Sequence, residues 1–159
     1  MVVGFSFLEL SAFWNVGDTV KRKVFSHALC EQALEEVKEL GFKPIFRKVY
    51  AKRLDPFREQ VSIEVLDDGV SSIHAMVAGL VEGANNLCEV NVSTWHALKS
   101  TPGGRTQAVH QDYPQFEISR ALLKHKLVQG SVIVALMKNT LLHVYPRCFV
   151  KRKKNAESR

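Results

Sequence analysis

Three kinds of sequence feature are missing from this chain, and each absence excludes a class of protein. No apolar run approaches the roughly 20 residues of a membrane-spanning helix, so neither a spanning protein nor a membrane partner is expected. The three cysteines are far apart and form no CxxC pair, which argues against a zinc knuckle or a disulfide framework and favours a reducing, intracellular setting. The P-loop, GxGxxG and GxSxG motifs are also missing, so NTPase, dinucleotide-binding and α/β-hydrolase functions have no support.

The apolar N-terminus does not predict secretion. Residues 1–14 lack a basic n-region, contain Glu9, and are followed by no clear cleavage site with small residues. We therefore expect a cytoplasmic or nuclear protein.

Size and charge predict one ordinary globular domain with a basic tail. The chain has 159 residues, of which 46% are hydrophobic and 24% charged, which is enough for a real core. The net charge of +6 is uneven: residues 151–159 hold five basic residues and one acidic residue, leaving 17 basic and 15 acidic residues elsewhere. We predict a single domain over residues 1–150 and a disordered tail over 151–159. Nucleic-acid binding is not expected of the nearly balanced body, but stays open for the tail.

Two segments have helical periodicity. Ser26 is predicted to cap a helix that ends at Gly41 and has one apolar stripe, formed by Leu29, Ala33, Val37 and Leu40. A second helix is predicted from residue 71 or 72 to about Asn86, after a break at residues 67–69. Its apolar face comprises Ile73, Met76, Val77, Leu80, Val81 and Ala84. Gly79 and Gly83 lie in its interior, where small residues would let another element pack close.

Most of the remaining sequence favours extended structure. Residues 1–24 are predicted to open with an apolar strand, and residues 61–65 alternate as a half-buried strand does. A Thr-Pro-Gly-Gly turn is predicted at 101–104, followed by a short helix over 116–126 with Ile118, Leu122 and Leu123 inward. Two apolar strands, 131–137 and 141–146, would be joined by a turn at 138–140. The predicted class is α+β, with most of the sheet in the second half.

The tripeptide at residues 110–112 has the strongest chemical potential. His110 and Asp112 are two residues apart, so in an extended chain both side chains point to one face. Imidazole and carboxylate are two-thirds of the facial triad that binds non-haem Fe(II). The alternative is a surface turn in which Asp112 hydrogen-bonds the local backbone before Pro114.

The order of elements around this tripeptide resembles that of the Fe(II)/2-oxoglutarate-dependent dioxygenases. Trp95, a Pro-Gly-Gly turn and His-x-Asp are similar to the segment that leads into the first two iron ligands of that family, and residues 141–146 are similar to the strand that follows across a hairpin. The resemblance covers about residues 24–150. It implies an antiparallel, jelly-roll-like sheet (a double-stranded β-helix) buttressed by the two helices predicted above.

The resemblance also implies cofactors, substrates and site residues. Fe(II) and 2-oxoglutarate would be the cofactors. The reaction would be oxidation, commonly hydroxylation or demethylation, of a small-molecule or protein substrate. His110 and Asp112 would bind the metal, with His143 as a candidate third ligand. Trp95 and Tyr145 would line the cofactor pocket, or simply pack in the sheet. No catalytic residue beyond the metal ligands is expected.

The family pattern is incomplete in this sequence. In the family a distal His and a basic residue follow the His-x-Asp by several strands, but only 47 residues follow Asp112 here. The chain is therefore predicted to be a fragment, a decayed enzyme, or an unusual site completed by His143. A non-catalytic binding or scaffold domain of the same fold is the alternative, and a nucleic-acid-associated protein acting through the tail is a weaker one. An incomplete sheet would expose strand edges, which predicts a partner chain.

Overall fold

Helices and a small sheet make up the regular structure of the described residues. The structure is a computed structural model that describes residues 7–44, 55–85, 88, 90–91, 95–104, 106, 115–126 and 130–145. Within these ranges the elements, in chain order, are α1 (Phe7–Val16), α2 (His27–Lys38), β1 (Arg58–Ser62), α3 (Asp68–Ala84), β2 (His96–Ser100) and α4 (Gln115–Arg120), which continues as one π-helical turn, Ala121–His125.

The described residues fall into two compact units. The first contains those within Met1–Leu40, Ser62–Ala97 and Leu136–Arg159, and the second those within Gly41–Val61 and Leu98–Ala135. The mixture of helix and antiparallel sheet that the sequence predicts is confirmed at this level. The double-stranded β-helix and the single domain over residues 1–150 stay predictions.

Residues Phe7–Val16 form a helix, so the apolar strand predicted to open residues 1–24 is wrong over this range. Phe7–Val16 contains two Leu, one Glu and one Ala, which favour helix, and an apolar run alone does not separate a strand from a helix. The turn predicted after it is present at Gly17, whose φ of 99° suits glycine. The Gly17 N–H donates to the Phe13 carbonyl at 2.7 Å.

Helix α2 follows its sequence signals closely at the N-terminus. The Ser26 hydroxyl accepts the Leu29 N–H at 3.2 Å, as expected of an N-cap. Ala33 and Val37, in the middle of the predicted stripe, are buried. The helix ends at Lys38, and Gly41 beyond it does not adopt the left-handed conformation of a C-terminal glycine.

Helix α3 begins three residues earlier than the sequence predicts. The acidic, glycine-containing stretch at 67–69 suggested a break, but Asp67 is the N-cap position and Asp68–Gly69 form the first turn. Buried apolar side chains recur at helical spacing along α3 and face α2. These buried side chains are Val70, Ile73, Val77 and Leu80. Together with Ile63, Ala33 and Val37 they form the core of the first unit.

The junction between α2 and α3 depends on Glu36 and Gly69. The Asp67 side chain makes no capping hydrogen bond. Instead, the Glu36 carboxylate accepts the Gly69 N–H at 2.8 Å and the Val70 N–H at 2.9 Å. These are the donors that an N-cap normally satisfies, and a carboxylate also complements the positive end of the helix dipole. A Cβ on Gly69 would lie 2.9 Å from the Ala33 backbone nitrogen, so only glycine permits this approach.

The glycines expected to allow close packing are not the ones that do. The sequence suggested Gly79 and Gly83 as points where another element approaches α3, yet a Cβ at either would meet nothing within 4 Å. Both are exposed. The close contact is made by Gly69 instead, which the sequence placed in a turn.

Strands β1 and β2 form an antiparallel pair. Phe57 faces Thr101 at one end, where the Thr101 N–H donates to the Phe57 carbonyl at 2.9 Å, and the Ile63 N–H donates to the Trp95 carbonyl at the other at 3.0 Å. The strand predicted at 61–65 is therefore observed about three residues earlier. On its other edge β1 pairs with Lys43 through two hydrogen bonds at Gln60.

The short helix predicted at 116–126 is confirmed, but its inward residues are not. Leu122 and Leu123 are 47% and 73% exposed, while Ile118 is half-buried. The π-helical turn at Ala121–His125 accounts for this, because i→i+5 bonding changes the angular position of each following side chain.

The strands predicted at 131–137 and 141–146 do not form within residues 130–145. The turn between them is present: Asn139 has φ 62°, and the Thr140 hydroxyl donates to the Met137 carbonyl at 2.9 Å. The flanking residues lie outside regular secondary structure, and large apolar side chains there are exposed, namely Val132, Ile133, Met137, Leu141 and Leu142. Among the described helices, none is long and apolar enough to cross a bilayer.

Replacing Gly69 by Ala should destabilise the protein by roughly 1–3 kcal/mol, because the new methyl group overpacks a rigid backbone contact. Urea unfolding followed by circular dichroism measures the change. The matched control is Gly79→Ala, which fills open space on the same helix and should gain roughly 0.5–1 kcal/mol. Equal effects of the two substitutions would contradict the close approach at Gly69.

Replacing Glu36 by Ala should cost roughly 1.5–3 kcal/mol, the range for hydrogen bonds to a charged group, because two helix N–H groups lose their acceptor. Glu35→Ala is the control on the same helix, since Glu35 is exposed and pairs only on the surface with Lys38. That change should stay within about 0.5 kcal/mol. A similar cost for both variants would remove the capping role assigned to Glu36.

Candidate functional site

Strand β2 leads into the segment that contains His110 and Asp112, and β1 fixes its register. Glu59 and Lys99 face each other across the pair, with Nζ 3.3 Å from Oε2. The Lys99 ammonium also lies 5.6 Å from the centroid of the Phe42 ring, a cation–π distance. Cross-strand pairs of this kind contribute roughly 0.2–1 kcal/mol each, so they favour this register over a slipped one.

Phe57 shapes the turn at residues 101–104. Gly103 has φ 99°, and a Cβ there would lie 3.0 Å from the Phe57 ring. A Cβ on Gly104 would lie 2.9 Å from the Phe57 Cβ. The predicted turn is thus confirmed, and the reason for two consecutive glycines is that an aromatic side chain lies against both.

A buried carboxylate holds Phe57 in place. Asp55 is 6% exposed. Its Oδ1 accepts the Phe57 N–H at 3.0 Å, and its Oδ2 forms an ion pair with the Arg58 guanidinium. This is the turn that Asp55-Pro56 predicts, because an Asp side chain readily accepts the N–H two residues on.

The two principal metal ligands predicted from the sequence, His110 and Asp112, lie outside the described residues. His143 is exposed and follows the turn at 137–140, and Tyr145 beyond it is half-buried. Trp95 is half-buried next to β2, and its indole N–H donates to Nδ1 of His74 at 3.0 Å. Within the described ranges no three His, Cys, Asp or Glu side chains are grouped as a metal site would require.

Two residues with structural roles, His74 and Glu36, could not be identified from residue spacing in the sequence. His74 showed no ligand spacing, yet it contacts Trp95, 21 positions away. Glu36 has partners on another helix, so its own surroundings in the sequence do not reveal them. Their position in the sequence indicates such a role for both residues. Each lies beside a buried apolar stripe, where a polar side chain needs a hydrogen-bond partner.

Comparison with protein-family models, curated proteins and solved structures finds no match for this chain. The resemblance to the dioxygenases therefore depends on the residues quoted for it.

Replacing Gly103 by Ala should cost on the order of 1–3 kcal/mol, because the new side chain meets both a left-handed backbone and the Phe57 ring. Thermal unfolding of the variant measures this. Gly130→Ala is the matched control in the same unit, because that glycine is exposed and an added methyl group would meet nothing within 4 Å. Its change should stay within about 0.5 kcal/mol. An unaffected Gly103 variant would contradict the packing of Phe57 on the turn.

Proposed function

We propose that this chain is related to the Fe(II)- and 2-oxoglutarate-dependent oxidoreductases, with a dioxygenase-like domain of the double-stranded β-helix type. His110 and Asp112 are its two principal metal ligands. The observation that carries the proposal is the position of His-x-Asp between a strand that ends in a glycine turn and a short helix.

The described flanks support this placement. On one side, β2 ends at Ser100, and the turn at 101–104 is held against Phe57. On the other side, α4 begins at Gln115. In the sequence, the tripeptide lies among the ten residues, 105–114, between this turn and α4. Functional side chains are commonly carried on segments whose two ends are fixed by ordered elements.

The chemistry of the donor set fits Fe(II). A neutral imidazole and a carboxylate are the ligand types of the 2-His-1-carboxylate facial triad, which leaves open positions where a co-substrate and dioxygen would bind. Two protein ligands bind weakly, so a third is required. His143 is the candidate within the described residues, where it is exposed.

Each residue has a defined task in this proposal. His110 and Asp112 would hold Fe(II), which together with 2-oxoglutarate supplies the oxidation of the substrate. The carboxylate must be ionised and the imidazole neutral to act as ligands. Metal affinity should therefore fall as the pH decreases through the range in which histidine titrates, about pH 8 to 5. Trp95 is a candidate wall of the pocket, and its indole N–H is already engaged by His74.

Anaerobic titration with Fe(II), followed by calorimetry, tests the proposal. The unmodified chain should bind one equivalent. His110→Ala and Asp112→Ala should each weaken binding by more than roughly tenfold, because even indirect partners of metal ligands are worth that much. His143→Ala should do the same if His143 is the third ligand. Added 2-oxoglutarate should bind only when the metal is present.

His27→Ala is the control for these variants. His27 is an exposed imidazole on α2, where it faces Glu31 in the same helix, so its removal should leave Fe(II) binding unchanged. Binding that persists in both the His110 and the Asp112 variants would eliminate the proposed site. A folded chain that binds neither Fe(II) nor 2-oxoglutarate would favour a non-catalytic binding or scaffold domain.

A further inference from the structure

His74 and Trp95 form a specific contact between α3 and the residue before β2. The Trp95 Nε1–H donates to His74 Nδ1 at 3.0 Å. The two rings meet edge to face, with centroids 6.0 Å apart and planes at 86°. Both side chains are half-buried.

This contact requires a neutral His74. An indole N–H is a donor only, so the imidazole nitrogen that faces it must carry a lone pair. The imidazole proton therefore lies on Nε2. Protonation would place a hydrogen on both ring nitrogens, and two N–H groups would then face each other at 3.0 Å. The hydrogen bond cannot survive that change, so the contact exists in one protonation state only.

Two titratable groups on the elements beside this contact, Glu36 on α2 and His96 on β2, have partners of their own. From α2, the Glu36 carboxylate is taken up by the N–H groups of Gly69 and Val70. Next to Trp95, the exposed His96 has Nδ1 3.2 Å from the Ser62 hydroxyl. His96 is therefore the neighbour that an experiment must separate from His74. One turn to either side of His74, α3 presents residues that do not titrate, namely Val70, Ser71, Val77 and Ala78.

Trp95 is also part of the sheet. Its carbonyl accepts the Ile63 N–H at 3.0 Å, and Ile63 is a core residue at 8% exposure. The residue that begins the β1–β2 pairing is thus held by its backbone to one strand and by its side chain to a helix. Loss of the side-chain contact leaves the Trp95–Ile63 backbone bond and the His96–Ser62 contact as the described attachments at this end of β2.

We propose that His74 and Trp95 are a proton-operated latch. The neutral imidazole holds the indole against α3, and protonation of the imidazole releases the indole and loosens the start of β2. The latch needs neither metal nor co-substrate, so it can be tested without them, although Trp95 is also a candidate wall of the proposed pocket.

Tryptophan fluorescence of a Trp14→Phe variant tests the latch. The chain has two tryptophans, so this variant reports Trp95 alone, and Trp14 is exposed beside Phe13, far from the latch in sequence. When the solution is acidified, the emission maximum should move reversibly to longer wavelength as the indole becomes more exposed. The transition should fit one proton, and far-ultraviolet circular dichroism should stay constant.

Three further substitutions in that background assign the proton. His74→Gln keeps an acceptor, the amide oxygen, but cannot titrate, so its emission should match the neutral form at every pH. His74→Ala should match the acid form at every pH. His96→Gln should keep the transition. The proposal is overturned by a transition that persists in His74→Gln, by one that disappears in His96→Gln, or by no transition in the Trp14→Phe variant.

Discussion

The Glu36 carboxylate at the start of α3 is the interaction on which the first unit depends. It satisfies the Gly69 and Val70 N–H groups that would otherwise be unpaired where α3 meets α2. Because it reaches from one helix to the other, it sets the axial position of α3 as well as capping it. Gly69 constrains the same axial position sterically, because its α carbon lies against the α2 backbone. A charge contact and a steric contact thus select one helix register, and the buried stripe of α3 follows from it. That register also sets the position of His74 along the α3 axis, one and a half turns beyond Gly69. It therefore determines where Trp95 is held.

The sequence predicts those elements whose signals are local. Helix α2 has its cap, stripe and charged face within fifteen residues, and the structure agrees with each. Helix α3 was placed too late because Asp67-Asp68-Gly69 has the composition of a turn, and only the carboxylate of a residue more than thirty positions earlier makes it a helix start. The glycine turn at 101–104 was predictable from composition, but the reason for it, the Phe57 ring, was not. Local chemistry is visible in a sequence, whereas a contact between distant segments is visible only once the fold is known.

The candidate metal site has the same division between local and distant information. His110 and Asp112 are two positions apart, so their common face follows from the geometry of an extended chain. A third ligand must come from elsewhere in the chain, and spacing does not identify it. His143 is favoured as the third ligand only by its order along the chain, and its side chain is exposed in the structure. The decisive quantity is therefore the change in Fe(II) affinity that each of the three side chains causes, which separates a two-ligand motif from a complete site.

The exposed apolar side chains of residues 130–145 concern a second physical requirement, which is that a strand needs a neighbouring strand. Val132, Ile133 and Leu141 belong to apolar types that sheets commonly bury, and they are 49%, 54% and 85% exposed. Such side chains become stable in a sheet when a neighbouring strand satisfies the backbone and covers one face. Within the described residues these positions have no strand pairing. A double-stranded β-helix and a partner chain would meet the requirement in the same way, by adding strands beside this segment. The proposed fold and the predicted partner are therefore two answers to one question, namely what covers the exposed apolar side chains within residues 130–145.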